Sequence, residues 1–201
     1  MWESILDSRT ACLRNAEADR VRSNIADFGE LATRVKRLAS GHPRAFVGID
    51  GPGVSGKSTF AEQLVTAMGD ARLVLVDDFC LPSSRRHEGL GEIGLSFDLQ
   101  RLAAQVVVPR SAGEALPYQR YYWAQDELAQ WIEVPGCAPG VLEGVFCLAD
   151  ELRNAYTFKI CCRADPRLRL IRGFERDGEE VRSMWSMPGC CRERVCSEPT
   201  P

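Results

Sequence analysis

The sequence predicts an α/β protein in which a parallel sheet is flanked by helices and carries a β-hairpin insertion, and three observations lead there. Residues 45–69 pass from an apolar strand through a glycine-rich loop into a helical pattern. Two later apolar runs, 73–76 and 140–146, read as buried strands that bring acids with them, Asp77 and Asp78 at the end of the first and Glu143 within the second. Residues 116–123 and 128–134 are rich in aromatic and β-branched side chains and read as the strands of a hairpin projecting from the core.

In chain order, the first 20 residues carry no clear pattern. Ile25, Phe28, Ala32, Val35 and Leu38 recur at helical spacing, so 22–39 is expected to be an amphipathic helix that ends near Gly41-His42-Pro43 and leads into the first strand. The loop that follows has the spacing G-x-x-x-x-G-K-S. Gly51, Gly53 and Gly56 let the backbone turn tightly and bring its N–H groups against phosphate oxygens at the start of a helix. Lys57 is then placed to reach the β and γ phosphates and the Ser58 hydroxyl to ligate Mg²⁺, with Ser55 and Thr59 completing the loop. These residues predict binding of a nucleoside triphosphate.

Ligands in open α/β sheets lie at the carboxyl ends of the strands, so Asp77 and Asp78 are expected to face the γ-phosphate side; the alternative is a solvated loop. Glu143 stands in an otherwise buried strand, where a charge needs a cation or a hydrogen-bond partner, unless it is merely a strand-end carboxylate. Phe97-Asp98 is an N-capped helix start. The hairpin aromatics serve either the hairpin's own packing or a stacking wall for a flat substrate. Residues 157–162 form a fourth strand, and Asp165-Pro166 opens a helix. On that helix Arg169, Arg172 and Arg176 share one arc and Leu170, Ile171 and Phe174 the opposite, packing side. The arginine face is either simply solvated or neutralises phosphoryl charge.

Composition bounds the function. At 201 residues, 45% apolar and 26% charged, the chain is sized for one globular domain, and a net charge of −3 argues against a nucleic-acid partner. The N-terminus has neither a basic segment nor an apolar run, and no segment approaches the 18 or so apolar residues of a membrane span. A cytoplasmic protein without membrane contact is expected. None of the nine cysteines is spaced as C-x-x-C, so those at 12, 80, 137, 147, 161 and 162 read as buried, reduced thiols.

Taken in order, the glycine-rich loop 49–59, Val76-Asp77-Asp78-Phe79, Phe97-Asp98, the aromatic segment 118–123, Leu142-Glu143-Gly144-Val145 and the arginine-rich segment 169–177 resemble the uridine kinase family, in particular its bacterial uridine kinase-like members. The match runs from about 44 to 185, which divides the chain into an N-terminal segment and helix (1–43), a P-loop kinase domain (44–185) and an atypical tail (186–201). The resemblance implies a P-loop kinase fold with a five-stranded parallel sheet and a substrate hairpin. It implies an ATP-dependent small-molecule kinase that uses ATP and Mg²⁺ and transfers the γ-phosphoryl to the 5′-hydroxyl of uridine or cytidine. Asp77 would accept the hydroxyl proton, Asp98 would hold the ribose hydroxyls, Tyr121 would contact the base, Phe97 would belong to the substrate-binding residues, and Glu143 would help hold the metal's water shell. Arg172 and Arg176 match the start of a lid that closes over the phosphates.

The chain departs from the pattern at three places. Cys80, at a base-binding position, stands where the nucleoside kinases usually have tyrosine. Val54 replaces a small loop residue, a mild change if its side chain points outward. From about Ser186 the tail reads as a truncated or frameshifted end that cannot supply the final edge strand. The alternative function is accordingly a nucleotide-binding protein with little or no catalysis.

Overall fold

The computed structural model describes residues 27–42, 44–86, 96–136 and 138–178. The expectations for the first 20 residues and for the tail lie outside them.

Helix α1 spans Phe28–Ala39. Asp27 is its N-cap rather than an interior residue, with its carboxylate accepting from the N–H groups of Gly29 and Glu30, so the expected start at 22 is corrected to 28. Its inward line runs through the small side chains Ala32, Val35 and Ala39, which leaves Leu38, expected to pack, 38% exposed. Strand β1 (Phe46–Asp50) leads through the glycine-rich loop into α2 (Lys57–Met68), and β2 (Arg72–Leu75) ends in a 3-10 turn, Val76–Phe79. Helices α3 (Leu99–Leu102) and α4 (Val108–Ala112) are joined by a π turn at Ala103–Val107. Pro109 accounts for that turn, because it donates no N–H to a carbonyl in the preceding turn and its ring pushes that carbonyl away.

The hairpin forms as expected, from β3 (Leu116–Tyr122) and β4 (Glu127–Val134), with an irregularity between Gln119 and Tyr121. Strand β5 (Gly140–Glu143), strand β6 (Phe158–Cys161) and helix α5 (Pro166–Asp177) complete the described residues. The sheet is parallel, in the order β2-β5-β1-β6. The two central strands, β1 and β5, are buried along their whole length because both faces are covered. One face packs on α1 and α2 through Val35, Val47, Ile49, Phe60, Leu64 and Val141. The other packs on the π-turn helix and the hairpin base through Val76, Phe79, Leu102, Val106, Tyr118 and Leu142. Four strands are thus described in the sheet, and the fifth that the resemblance implied is not among the described residues.

Among the described cysteines, Cys80, Cys147 and Cys162 are buried and reduced, as expected. Cys161 is not: alternation along β6 turns it outward, where it is exposed and disulfide-bonded. Helix α5 also departs from its expected orientation. Its buried line runs through Arg169 and Gly173, about one turn apart. Ile171, assigned to the packing side, is 54% exposed.

Candidate functional site

The glycine-rich loop is held by the strand that leads into it. Buried Asp50 ends β1, and its carboxylate accepts from the Gly51 N–H at 2.6 Å and from the Leu148 N–H at 2.9 Å, tying the loop to the segment beyond β5. A Cβ at Gly51 would collide with the carbonyl oxygen of Cys162, and Gly56 takes a positive φ of 93° at the N-cap of α2. Val54, expected to be a mild replacement, instead sits at φ 53°, a left-handed conformation in which a β-branched residue is strained.

Three strand ends converge on the loop. The register pairs Ile49 and Leu75 with Glu143, so β1, β2 and β5 finish level with one another. Glu143 is buried there, with its Oε1 accepting from the Ser58 hydroxyl at 3.3 Å and lying 3.6 Å from the Lys57 ammonium. The cation and hydrogen-bond partner demanded of a buried acid are therefore both supplied from the first turn of α2. Burial raises the pKa of Glu143; Lys57 opposes the rise and the charge of Asp77 adds to it. Asp77 keeps contact with solvent, yet the protein mass around it raises its pKa, with Lys57 acting against the rise, Asp78 with it, and Arg176 against it. Lys57, Asp77, Glu143 and Arg176 thus share one electrostatic environment.

The two aspartates do not face the same way. Successive residues of a 3-10 turn diverge by about 120°, so Asp77 stays on the loop side while Asp78 turns inward to the hairpin. Asp78 accepts from the Tyr118 hydroxyl and from Arg120 Nε, each at 3.0 Å. The expectation that both acids face the γ-phosphate side is corrected for Asp78, which faces the hairpin.

Asp98 is N-cap of α3, accepting from the Arg101 N–H at 3.0 Å, and its own N–H donates to the carbonyl of Phe79 at 2.8 Å. Phe97, half-buried, bridges antiparallel to Cys80 and meets Phe146 with 6.3 Å between ring centres. Phe146 itself has a positive φ of 68°. Tyr121 and Cys80, expected to touch a base, are both buried, 3% and 2% exposed, because hairpin and turn close on each other. The Tyr121 hydroxyl donates to Asp126 at 2.5 Å and accepts from Arg86 at 2.6 Å, and the Arg86 guanidinium lies over the Tyr121 and Trp123 rings. Asp126 also accepts from the Ser83 N–H at 2.7 Å and from its hydroxyl. These bonds, led by the Ser83 hydroxyl, hold the Asp126 carboxyl down at about 2.

Arg172 is exposed on α5, and Arg176 forks onto its neighbour Asp177 at 2.7 and 2.8 Å. Arg169 is buried, and its Nε and Nη1 make no hydrogen bond among the described residues; the buried Ser55 hydroxyl makes none either. No group of three or more His, Cys, Asp or Glu side chains able to hold a metal occurs among the described residues. Mg²⁺ does not require one, since it keeps several waters and is bound by one or two carboxylates with substrate phosphates. The Ser58 hydroxyl and the Glu143 carboxylate fit that demand. Asp50, Arg86, Arg101 and Asp126 were not singled out from the sequence. Only Asp50, an acid closing an apolar strand next to the loop, left a local signal.

Comparison with solved structures identifies the fold as that of P-loop kinases. The chain is similar to a protein described as a possible uridine kinase from Bacillus stearothermophilus, at 21% identity and a TM-score of 0.61 over 79% of this chain and 91% of that one. It is similar to a candidate fructose transport system kinase from Silicibacter sp. TM1040, at 20% identity and a TM-score of 0.67 over 84% and 93%. A circularly permuted P-loop-containing candidate kinase from Saccharomyces cerevisiae, YFH7, aligns at 12% identity and a TM-score of 0.59 over 80% and 90%. No protein-family model matches the chain, and no curated protein does. Among the described residues no helix is long and apolar enough to cross a membrane.

Proposed function

We propose that this chain is an ATP-dependent kinase that transfers the γ-phosphoryl group to a hydroxyl of a small metabolite, the 5′-hydroxyl of uridine or cytidine. The observation that carries the reading is the meeting of Lys57, Ser58, Glu143 and Asp77 at three level strand ends around the glycine-rich loop.

In this reading Gly51, Gly53, Ser55, Gly56 and Thr59 belong to the loop that cradles the phosphates, and Lys57 leaves Glu143 to place its charge on the β and γ groups. The Ser58 hydroxyl, and Glu143 through water, would hold Mg²⁺, which would supply positive charge against the phosphates. Asp77 is the only one of the two neighbouring aspartates not tied into the hairpin, and its raised pKa suits a group that must accept a proton. Asp98 and Phe97 face the acceptor, one with carboxylate lone pairs for sugar hydroxyls and the other with a ring. Tyr121 and Cys80 support that surface from behind. Arg172 and Arg176 supply lid-side charge as phosphoryl transfer proceeds, and closure excludes water as the competing acceptor.

The test follows label from the γ-phosphoryl of ATP in the parent and in Lys57→Ala, with uridine and cytidine offered. Label on the nucleoside in the parent and not in the variant supports the reading. Label on water alone indicates a hydrolase, and label retained on ATP that the protein binds indicates a nucleotide-binding protein without transfer.

A further inference from the structure

Three segments that meet only through tertiary structure converge on one side chain. The guanidinium of Arg101 donates through Nη1 to the carbonyl of Gln119 on β3 and through Nη2 to the carbonyl of Asp78 at 3.1 Å. Its Nε lies 3.8 Å from the second carboxylate oxygen of Asp98, whose first oxygen already accepts from the Arg101 N–H. Its planar face lies over the Phe79 ring, 4.5 Å from the ring centre. Asp78 is next to Asp77, and Gln119 precedes Arg120 at the hairpin irregularity.

Resting on the function proposed above, we propose that Arg101 is the positioning residue of the acceptor half of the site, setting Asp98, the Asp77-Asp78 turn and the hairpin at fixed distances from one another. The chemistry requires arginine. A planar guanidinium offers donors in several fixed directions and a face that stacks on an aromatic ring, whereas a lysine ammonium is a single compact charge on a flexible stem. Lysine would keep the attraction to Asp98 and lose the simultaneous reach to both carbonyls. Neither Lys57, Ser58 nor Glu143 touches this network among the described contacts, so its loss should leave the ATP half in place.

Two readouts test this on the full chain carrying Arg101→Lys. The first is amide hydrogen exchange, which needs no acceptor. Exchange should quicken at least tenfold in 98–102 and along β3, with the α2 amides of residues 60–68 unchanged. Parent-like exchange in the hairpin, or equal loosening of α2, would overturn the proposal. The second is the split of kinetic constants with uridine as the probe. The KM for uridine should rise roughly tenfold while the KM for ATP stays within about twofold, the expected pattern when charged hydrogen bonds that place one substrate are lost. Asp98→Ala run alone and combined with Arg101→Lys separates this idea from the functional reading. If Asp98→Ala raises the uridine KM and Arg101→Lys does not, the positioning role fails alone. If Asp98→Ala leaves it unchanged, or uridine is not phosphorylated by the parent, the acceptor reading fails while the exchange result still decides the network.

Discussion

At the residue scale, Val54 and the acids give the sharpest expectations. A non-glycine residue at positive φ costs about 1–2 kcal/mol, and glycine's greater freedom in the unfolded chain returns part of that, so Val54→Gly should stabilise the protein by up to about 1 kcal/mol. Chemical denaturation measures it, and a destabilised variant would show that the valine side chain contributes packing that outweighs the strain. Asp50, Asp77 and Glu143 all have pKa values raised first by burial. Each therefore holds a proton in the folded state at pH values where the unfolded chain has released it. In the protein without nucleotide, these three groups should make stability fall as pH rises from the ordinary carboxylate range through the raised values. Asp126 has the opposite sign and loses its contribution only as pH falls from near 4 towards 2. Melting curves against pH check this: Glu143→Gln should flatten the slope above the ordinary carboxylate range, and a slope that the substitution leaves unchanged would contradict it. The loop residues were legible in the sequence because their chemistry is local: a tight turn needs glycine, and a charge one residue inside a helix has a fixed reach. The division of labour between Asp77 and Asp78 was not legible, because it depends on which way a 3-10 turn points each of them.

At the element scale, Arg110 on α4 does for stability what Arg101 does for the acceptor side. It is buried and donates to the carbonyls of Gly136 at 2.8 Å, Ala45 at 3.0 Å and Ala138, joining the end of the hairpin to the entries of β1 and β5. Arg110→Met keeps the stem and removes the donors to the Gly136 and Ala138 carbonyls, while the Ala45 carbonyl keeps the Gly140 N–H, and should cost about 2 kcal/mol. The urea midpoint reads this directly, and a loss below about 0.5 kcal/mol would mean that water replaces the guanidinium without penalty. Strand and helix order, the hairpin and the Asp98 and Asp165 caps were legible from periodicity and cap chemistry. Two element features were not. The burial of Arg169 on the same line of α5 as Gly173 runs against the apolar pattern, and the π turn needs Pro109 to be read within a helix rather than as its end. The contacts of Arg86, Arg101 and Asp126 join residues up to 43 positions apart, which no local pattern encodes.

At the scale of the whole molecule, the proposed nucleotide site lies at the carboxyl ends of the parallel strands and the proposed acceptor site between those ends and the hairpin. ATP with Mg²⁺ at 100 times its Kd should stabilise the fold by about 2.7 kcal/mol, raising Tm by roughly 5–10 °C for a chain of this size. Lys57→Ala should lose most of that shift while melting like the parent without ligand, and an undiminished shift would place the nucleotide elsewhere. The most direct measurement of the central claim, that phosphoryl transfer occurs at these strand ends with Asp77 as the base, is the rate of uridine phosphorylation by the parent, Asp77→Asn and Asp78→Asn at saturating ATP and uridine. Asp77→Asn should lose about 10² to 10⁴ in kcat with the KM for ATP unchanged, while Asp78→Asn should act mainly on stability. Equal and small effects from the two substitutions would contradict it.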